Sequence, residues 1–273
     1  MLKILACLFM LLDHIGYYFA YALPENVVFV LRTAGRLAFP IFAWSVARGY
    51  TRTRNPLRYF IRMVLFAGFA ELIIRQGHRL AGLTSHGTNV MVTFALAIVL
   101  VTGYRIAAHS ILDMIASLRP ISPTPTTLPA PRFDVRINIK GITLDPRIAF
   151  PLGLLMGLAA ISLTIWLQPD YSLYGIGAVL LFYIIHDVVP EASQELRAMQ
   201  VFVIFNLIFV PIRVFLMHWP ADWSILQTVS ILALPICYRL DQNHRPHPVF
   251  KYGIYIFYPL HIFLLCLLRM FIA

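Results

Sequence analysis

Charged residues are scarce in this sequence. Asp, Glu, Lys and Arg make up 12% of its 273 residues, against about 25% in a soluble domain. Apolar residues make up 60%, and the mean hydropathy is +0.77. A water-soluble fold of this size cannot hide that much apolar surface, which excludes a soluble enzyme, a DNA-binding module and a disordered tail protein. Acidic residues are the rarer charge, 12 against 22 Lys and Arg, for a net +10. In a membrane protein this excess reads as Arg-rich cytoplasmic loops rather than nucleic-acid binding. Cysteine is equally sparse. Cys7, Cys237 and Cys266 lie in or beside apolar runs without paired spacing, so neither a disulfide framework nor a metal site is indicated. No A-x-A cleavage site follows the first apolar run, which carries Asp13 and His14 at its middle and reads as a retained span. A Gly-rich phosphate loop, a Cys/His metal spacing and a Ser nucleophile elbow are all missing, so nucleotide hydrolysis and zinc chemistry have no support. No internal repeat is apparent, which weighs against a transporter built from paired halves.

What is present is a series of long apolar runs. They lie near 2–22, 26–47, 57–75, 88–104, 148–168, 171–189, 198–217, 223–239 and 250–272, each near the length of about 20 residues that crosses a bilayer as a helix. Backbone groups in lipid must be satisfied within each segment. The fold class is therefore all-α, a polytopic transmembrane bundle of about nine spans. The 88–104 run is short and reads as tilted or re-entrant. Three regions follow: N-terminal transmembrane helices over 1–104, a cytoplasmic segment over 105–147, and C-terminal transmembrane helices over 148–273. Within the middle one, 106–118 has helical periodicity suited to an interface. Five prolines between Pro120 and Pro131 then make a stiff linker, and the alternation from Val135 to Lys140 suggests a strand turning at Gly141. Arg48, Arg52, Arg54, Arg58 and Arg62 between spans two and three, with the basic 105–147 and 239–251 connections, place those loops and the N-terminus in the cytoplasm. Arg75 and Arg79 run against the rule.

Ionisable residues inside the spans carry the functional information, because a charge at a helix centre costs about 2.5–3.5 kcal/mol on insertion scales. Asp13 and His14 lie near the centre of the first span, Arg36 in the second and His261 in the last; Arg213 is deep in the seventh. Glu71, His186 and Asp187 lie nearer span ends. Neighbouring helical residues point about 100° apart, so the expectation is that Asp13 neutralises Arg36 while His14 faces a cavity as a general base. The alternative is that His14 only hydrogen-bonds a neighbouring helix. Pro259 and Pro40 each interrupt a span. The five arginines from Arg48 to Arg62 read either as topology determinants touching lipid headgroups or as a holder of a phosphorylated ligand.

In order along the chain, several stretches resemble the TraX family, integral-membrane acetylases of conjugative pilin. They are Leu12-Asp13-His14-Ile15-Gly16, Gly35 to Phe42, Gly49 to Asn55, Asn89-Val90 with Thr93-Phe94, Asp170 to Gly175, Lys251-Tyr252, and Ile256 to His261. The Pro-rich 120–146 stretch departs from the pattern. The resemblance implies acetyl transfer from cytoplasmic acetyl-CoA, with no metal, to an amine of a pilin, another peptide or an envelope glycan, at a bacterial inner membrane. Under it His14 is the base, Asp13 and Arg36 its electrostatic support and His261 a second polar group of the pocket. Arg48, Arg52, Arg54, Arg58 and Arg62 hold the CoA phosphates. A proton-coupled small-molecule transporter and a scaffold of a pilus or secretion apparatus are the competing readings.

Overall fold

A computed structural model describes residues 1–85, 87–117, 144–216, 218, 220–240 and 248–272. Among these residues all extended regular structure is helical. The helices are α1 (Leu2–Tyr18), α2 (Glu25–Gly35), α3 (Ala38–Thr51), α4 (Pro56–Leu80), α5 (Val90–Ser117) and α6 (Pro146–Leu167). They continue with α7 (Ser172–Val188), α8 (Glu191–Pro211), α9 (Ala221–Leu226), α10 (Ala233–Leu240) and α11 (Pro248–Ile272). A π turn over Ile212–Leu216 extends α8, and a 3-10 stretch over Gln227–Leu232 joins α9 to α10. The strand expected at 135–141 lies outside the described residues.

Local chemistry sets the boundaries. Asn55 caps α4 by accepting from the Arg58 amide (2.9 Å), with Pro56 at the first helical position. Asp145 and Pro146 start α6 in the same way, with 2.8 Å to the Arg147 amide. Pro40 has no N–H for the Arg36 carbonyl. Just there the chain breaks between α2 and α3, where the Arg36 and Leu37 amides tighten onto Thr33 and Ala34 at 3.2 Å each. Hydroxyls inside apolar helices bond their own backbone, as Thr102 to Ile98 and Thr164 to Ala160 at 2.7 Å do.

Among the described residues five stretches are long and apolar enough to cross a membrane: Glu25–Thr51, Val90–Ala116, Pro146–Leu167, Glu191–Phe215 and Gly253–Ile272. Ser172–Val188 and Ser224–Leu240 are apolar but shorter. The expectation of about nine spans is thus met for five by length and composition. α1 stops after 17 residues, and α4 carries Arg58, Arg62, Glu71, Arg75 and Arg79. One element differs outright. The segment read as a short fourth span followed by an interfacial helix is a single helix of 28 residues, because no breaker separates residue 104 from 106. α5 packs tightly on α6 through glycines: a Cβ on Gly103 would stand 2.6 Å from the Gly153 carbonyl oxygen.

α1, α4 and α11 lie side by side and run in the same direction. Phe66 stacks on Tyr255, and Gly77 lies against Phe263 and Cys266, so residue numbers rise together along both helices. His14 faces His261, and the Tyr18 carbonyl accepts from Arg269, which gives α1 the same sense. Trp44, Phe182, Tyr183 and Phe202 fill the fully buried core where α3, α7 and α8 meet.

Candidate active site

The site grows from the contact between α1 and α2. Asp13 pairs with two arginines, not one. Its Oδ1 accepts from Arg36 at 2.6 Å and its Oδ2 from Arg32 at 2.8 Å. The three side chains are 13–16% exposed. The expected Asp13–Arg36 pair is therefore present, and Arg32 joins it. Arg32 precedes Arg36 by one helical turn and so shares its face, a spacing legible in the sequence once Asp13 is placed opposite. Glycine makes the approach possible. A Cβ on Gly35 would collide with the Asp13 side chain, and one on Gly16 would press on Leu31 and Arg32 at 3.1–3.3 Å.

From Arg36 a chain of neutral polar groups leads into the bundle. Arg36 donates to Gln227 Oε1 at 3.4 Å, and Gln227 Nε2 donates to the Tyr174 hydroxyl at 3.4 Å. Tyr174 meets Asn206 Oδ1 and Ser230 Oγ at 3.2 Å each. Gln227, Ser230 and Asn206 are 2% exposed or less. No sequence signal singled them out, because a neutral polar residue in an apolar run is commonplace.

Both histidine assignments converge. His14 Nδ1 and His261 Nε2 are 2.9 Å apart, although 247 residues separate them. His261 Nδ1 lies 2.8 Å from the Phe257 carbonyl, which can only accept. In the neutral ring the Nδ1 proton is therefore committed, and Nε2 must accept. The proton between the rings then belongs to His14 Nδ1, which leaves the His14 Nε2 lone pair unengaged. The His14 ring is also within hydrogen-bond reach of the Met10 carbonyl. The expected division of labour holds in part: Asp13 serves the arginines, whereas His14 is oriented by another histidine rather than facing a cavity alone. His261 is 4% exposed and stacked on Phe257 with ring centroids 4.8 Å apart.

Two further stretches from the TraX-like pattern, Asn89-Val90 with Thr93-Phe94 and Asp170 to Gly175, gather at the same end of the bundle. Asn89 donates from its side chain to Glu71 (2.7 Å) and to the Ala67 carbonyl (2.9 Å). Glu71 also takes Arg75 Nε at 2.6 Å, which accounts for one arginine that ran against the charge rule. The Asp170 amide donates to Thr88 O at 2.9 Å, and the Thr93 hydroxyl donates to the Asp170 carbonyl. Gly175 is required there, since a Cβ would overlap Thr93. Asp170 itself stands exposed in the connection between α6 and α7. His78, which sequence reasoning missed, links Tyr18 and Ser85 through its two ring nitrogens at 2.6 Å each.

The five arginines sit at the other end. Arg48 is in the last turn of α3, Arg52 follows that helix, Arg54 is in the connecting loop, and Arg58 and Arg62 lie in the first two turns of α4. From Arg62 to the level of His261, through the Phe66–Tyr255 stack, is about 15 Å along the helix axes at 1.5 Å per residue. Two polar centres thus stand apart on one set of parallel helices. Arg213 lies in the π turn after α8. Among the described residues no three His, Cys, Asp or Glu side chains gather as a metal centre would need.

A protein-family model, described as TraX protein, matches residues 1–122. That stretch holds Asp13, His14, Arg36 and all five arginines, and there the TraX resemblance read from the sequence stands. His261 and the Asp170–Gly175 stretch lie beyond the match. No curated protein and no solved structure matches the chain.

Proposed function

We propose that this chain, which matches TraX over residues 1–122, is an integral-membrane acetyltransferase. The donor is acetyl-CoA, and the acceptor is an amine of a pilin or another peptide, or a group of an envelope glycan. The observation that carries the reading is the His261–His14 pair, in which the Phe257 carbonyl fixes one ring so that the other presents an Nε2 lone pair.

The chemistry balances on that nitrogen. The acceptor nitrogen attacks the thioester carbonyl carbon. His14 Nε2 takes the proton the nitrogen sheds, and the C–S bond then breaks. His14 returns the proton to the departing sulfur, leaving amide and CoA thiol. General-base assistance of this kind contributes about 10²–10⁴-fold. His261 positions the base. Two guanidinium groups around the single Asp13 carboxylate leave net positive charge one residue from His14, where the oxyanion of the transition state develops. Arg48, Arg52 and Arg54 supply guanidinium forks for CoA phosphates, and the thioester extends from there along the bundle.

The topology of this proposal is nine crossings with the N-terminus and the arginines in the cytoplasm of a bacterial inner membrane. The parallel run of α1, α4 and α11 agrees with their being the first, third and ninth crossings. The Pro-rich segment then joins α5 to α6 on the cytoplasmic side. His14→Ala in a folded, membrane-inserted protein is the test: undiminished acetylation of an acceptor amine contradicts the assignment. The competing transporter reading predicts substrate movement in liposomes and no acetyl-CoA binding.

A further inference from the structure

An open groove of about 510 Å³ runs along the outside of the α4–α11 pair. Its walls are Ile61, Leu65, Phe66, Phe69 and Ile256, and its basic end is Arg58 and Arg62. The walls offer almost no polar atom and face outward: Leu65 is 68% exposed, Ile256 50% and Phe69 45%. Positions 58, 62, 65 and 69 follow one another by a turn of helix. The groove is therefore graded, with two cations at the loop end of α4 and aromatic and aliphatic surface deeper, over about 16 Å.

The cations are not spent within the protein. Among the described residues neither the Arg58 nor the Arg62 guanidinium has an ion-pair or hydrogen-bond partner. Arg62 rests over the Tyr59 ring at 5.1 Å, and its Nε is buried without an acceptor. A buried N–H without an acceptor is costly and calls for one from outside the chain. A guanidinium fork matches phosphate oxygens, and the surface beyond it matches a hydrocarbon chain.

We propose that this groove holds one anionic phospholipid of the surrounding bilayer, its phosphate on Arg58 and Arg62 and an acyl chain over Leu65, Phe66, Phe69 and Ile256. Acetyl-CoA also carries phosphate, but the arm that follows its phosphates contains amide groups, for which this wall has no partner. The proposal thus separates Arg58 and Arg62 from Arg48, Arg52 and Arg54, which remain for the donor. It stands whether or not the protein transfers acetyl groups, because it uses neither histidine.

Native mass spectrometry of the full chain, purified in mild detergent with phosphatidylglycerol and phosphatidylcholine in equal amounts, tests it. The wild type should retain one phosphatidylglycerol with about thirtyfold preference, as two arginines near a membrane surface supply. Arg58→Gln with Arg62→Gln should remove the preference while the thermal midpoint stays unchanged. Arg52→Gln with Arg54→Gln should keep it, and saturating acetyl-CoA should not displace the lipid. Equal retention of both lipids by the wild type, or equal preference in the Arg58/Arg62 variant, overturns the proposal. So does displacement by acetyl-CoA, which gives the groove to the donor, or a lipid-free dimer, which gives it to a second copy.

Discussion

Replacing Asp13 by Ala strands two guanidinium groups at the α1–α2 contact. Each now lies 2.6–2.8 Å from a carboxylate oxygen, and all three side chains are 13–16% exposed. At an effective dielectric of about 20, unit charges about 4 Å apart attract by about 4 kcal/mol. Removing one partner of a buried pair costs about 3–5 kcal/mol. The residual exposure and the repulsion relieved when either arginine swings toward solvent reduce this, so the expected loss is about 3 kcal/mol. For a protein of this size that lowers the thermal midpoint by roughly 6–12 °C. Tryptophan fluorescence on heating the detergent-purified protein reads it out, and the Asp13→Ala/Arg36→Ala cycle isolates the pairwise part. Coupling of about 1–3 kcal/mol is expected for residues in one network. A midpoint within 2 °C of wild type (on the order of 1 kcal/mol or less), or no coupling, would refute the reasoning.

Other perturbations are as direct. Gly35→Ala puts a methyl group where the Asp13 side chain lies, so its thermal midpoint should fall about as far as that of Asp13→Ala. Gly68→Ala, with nothing within 4 Å of the new Cβ, should stabilise α4 by up to about 1 kcal/mol through helix propensity; the reverse order of the two midpoints contradicts the packing. His261→Phe keeps a flat ring but cannot accept from His14. It should reduce acetylation by about 10-fold or more and alter the pH profile, whereas a merely structural role would leave the profile in place.

Much of this arrangement is legible in one sequence, for a physical reason. A charged residue inside an apolar run is expensive, so Asp13, Arg36 and the two histidines mark themselves, and their depths already suggest that they meet. Arg32 shares the face of Arg36 by the same helical arithmetic, but it lies nearer the start of its run, where an arginine is ordinary. Gln227, Tyr174, Asn206 and Ser230 carry no such mark, and only their three-dimensional convergence reveals the path from Arg36. The α5 boundary was hidden for a different reason. Residues 106–117 have the periodicity of an interfacial helix, yet periodicity does not report whether a helix has just ended, and no Gly or Pro interrupts it there. The glycines at 35 and 175 carry no charge to mark them in sequence, whereas in the fold they admit a carboxylate and a threonine at close range.

Acetyl-CoA binding and thioester hydrolysis by the detergent-purified protein, wild type beside His14→Ala, test the central claim most directly. The account predicts that both proteins bind acetyl-CoA and that only the wild type releases CoA thiol. Equal thiol release from both would contradict the role of His14, and no binding by the folded wild type would contradict acetyl transfer itself.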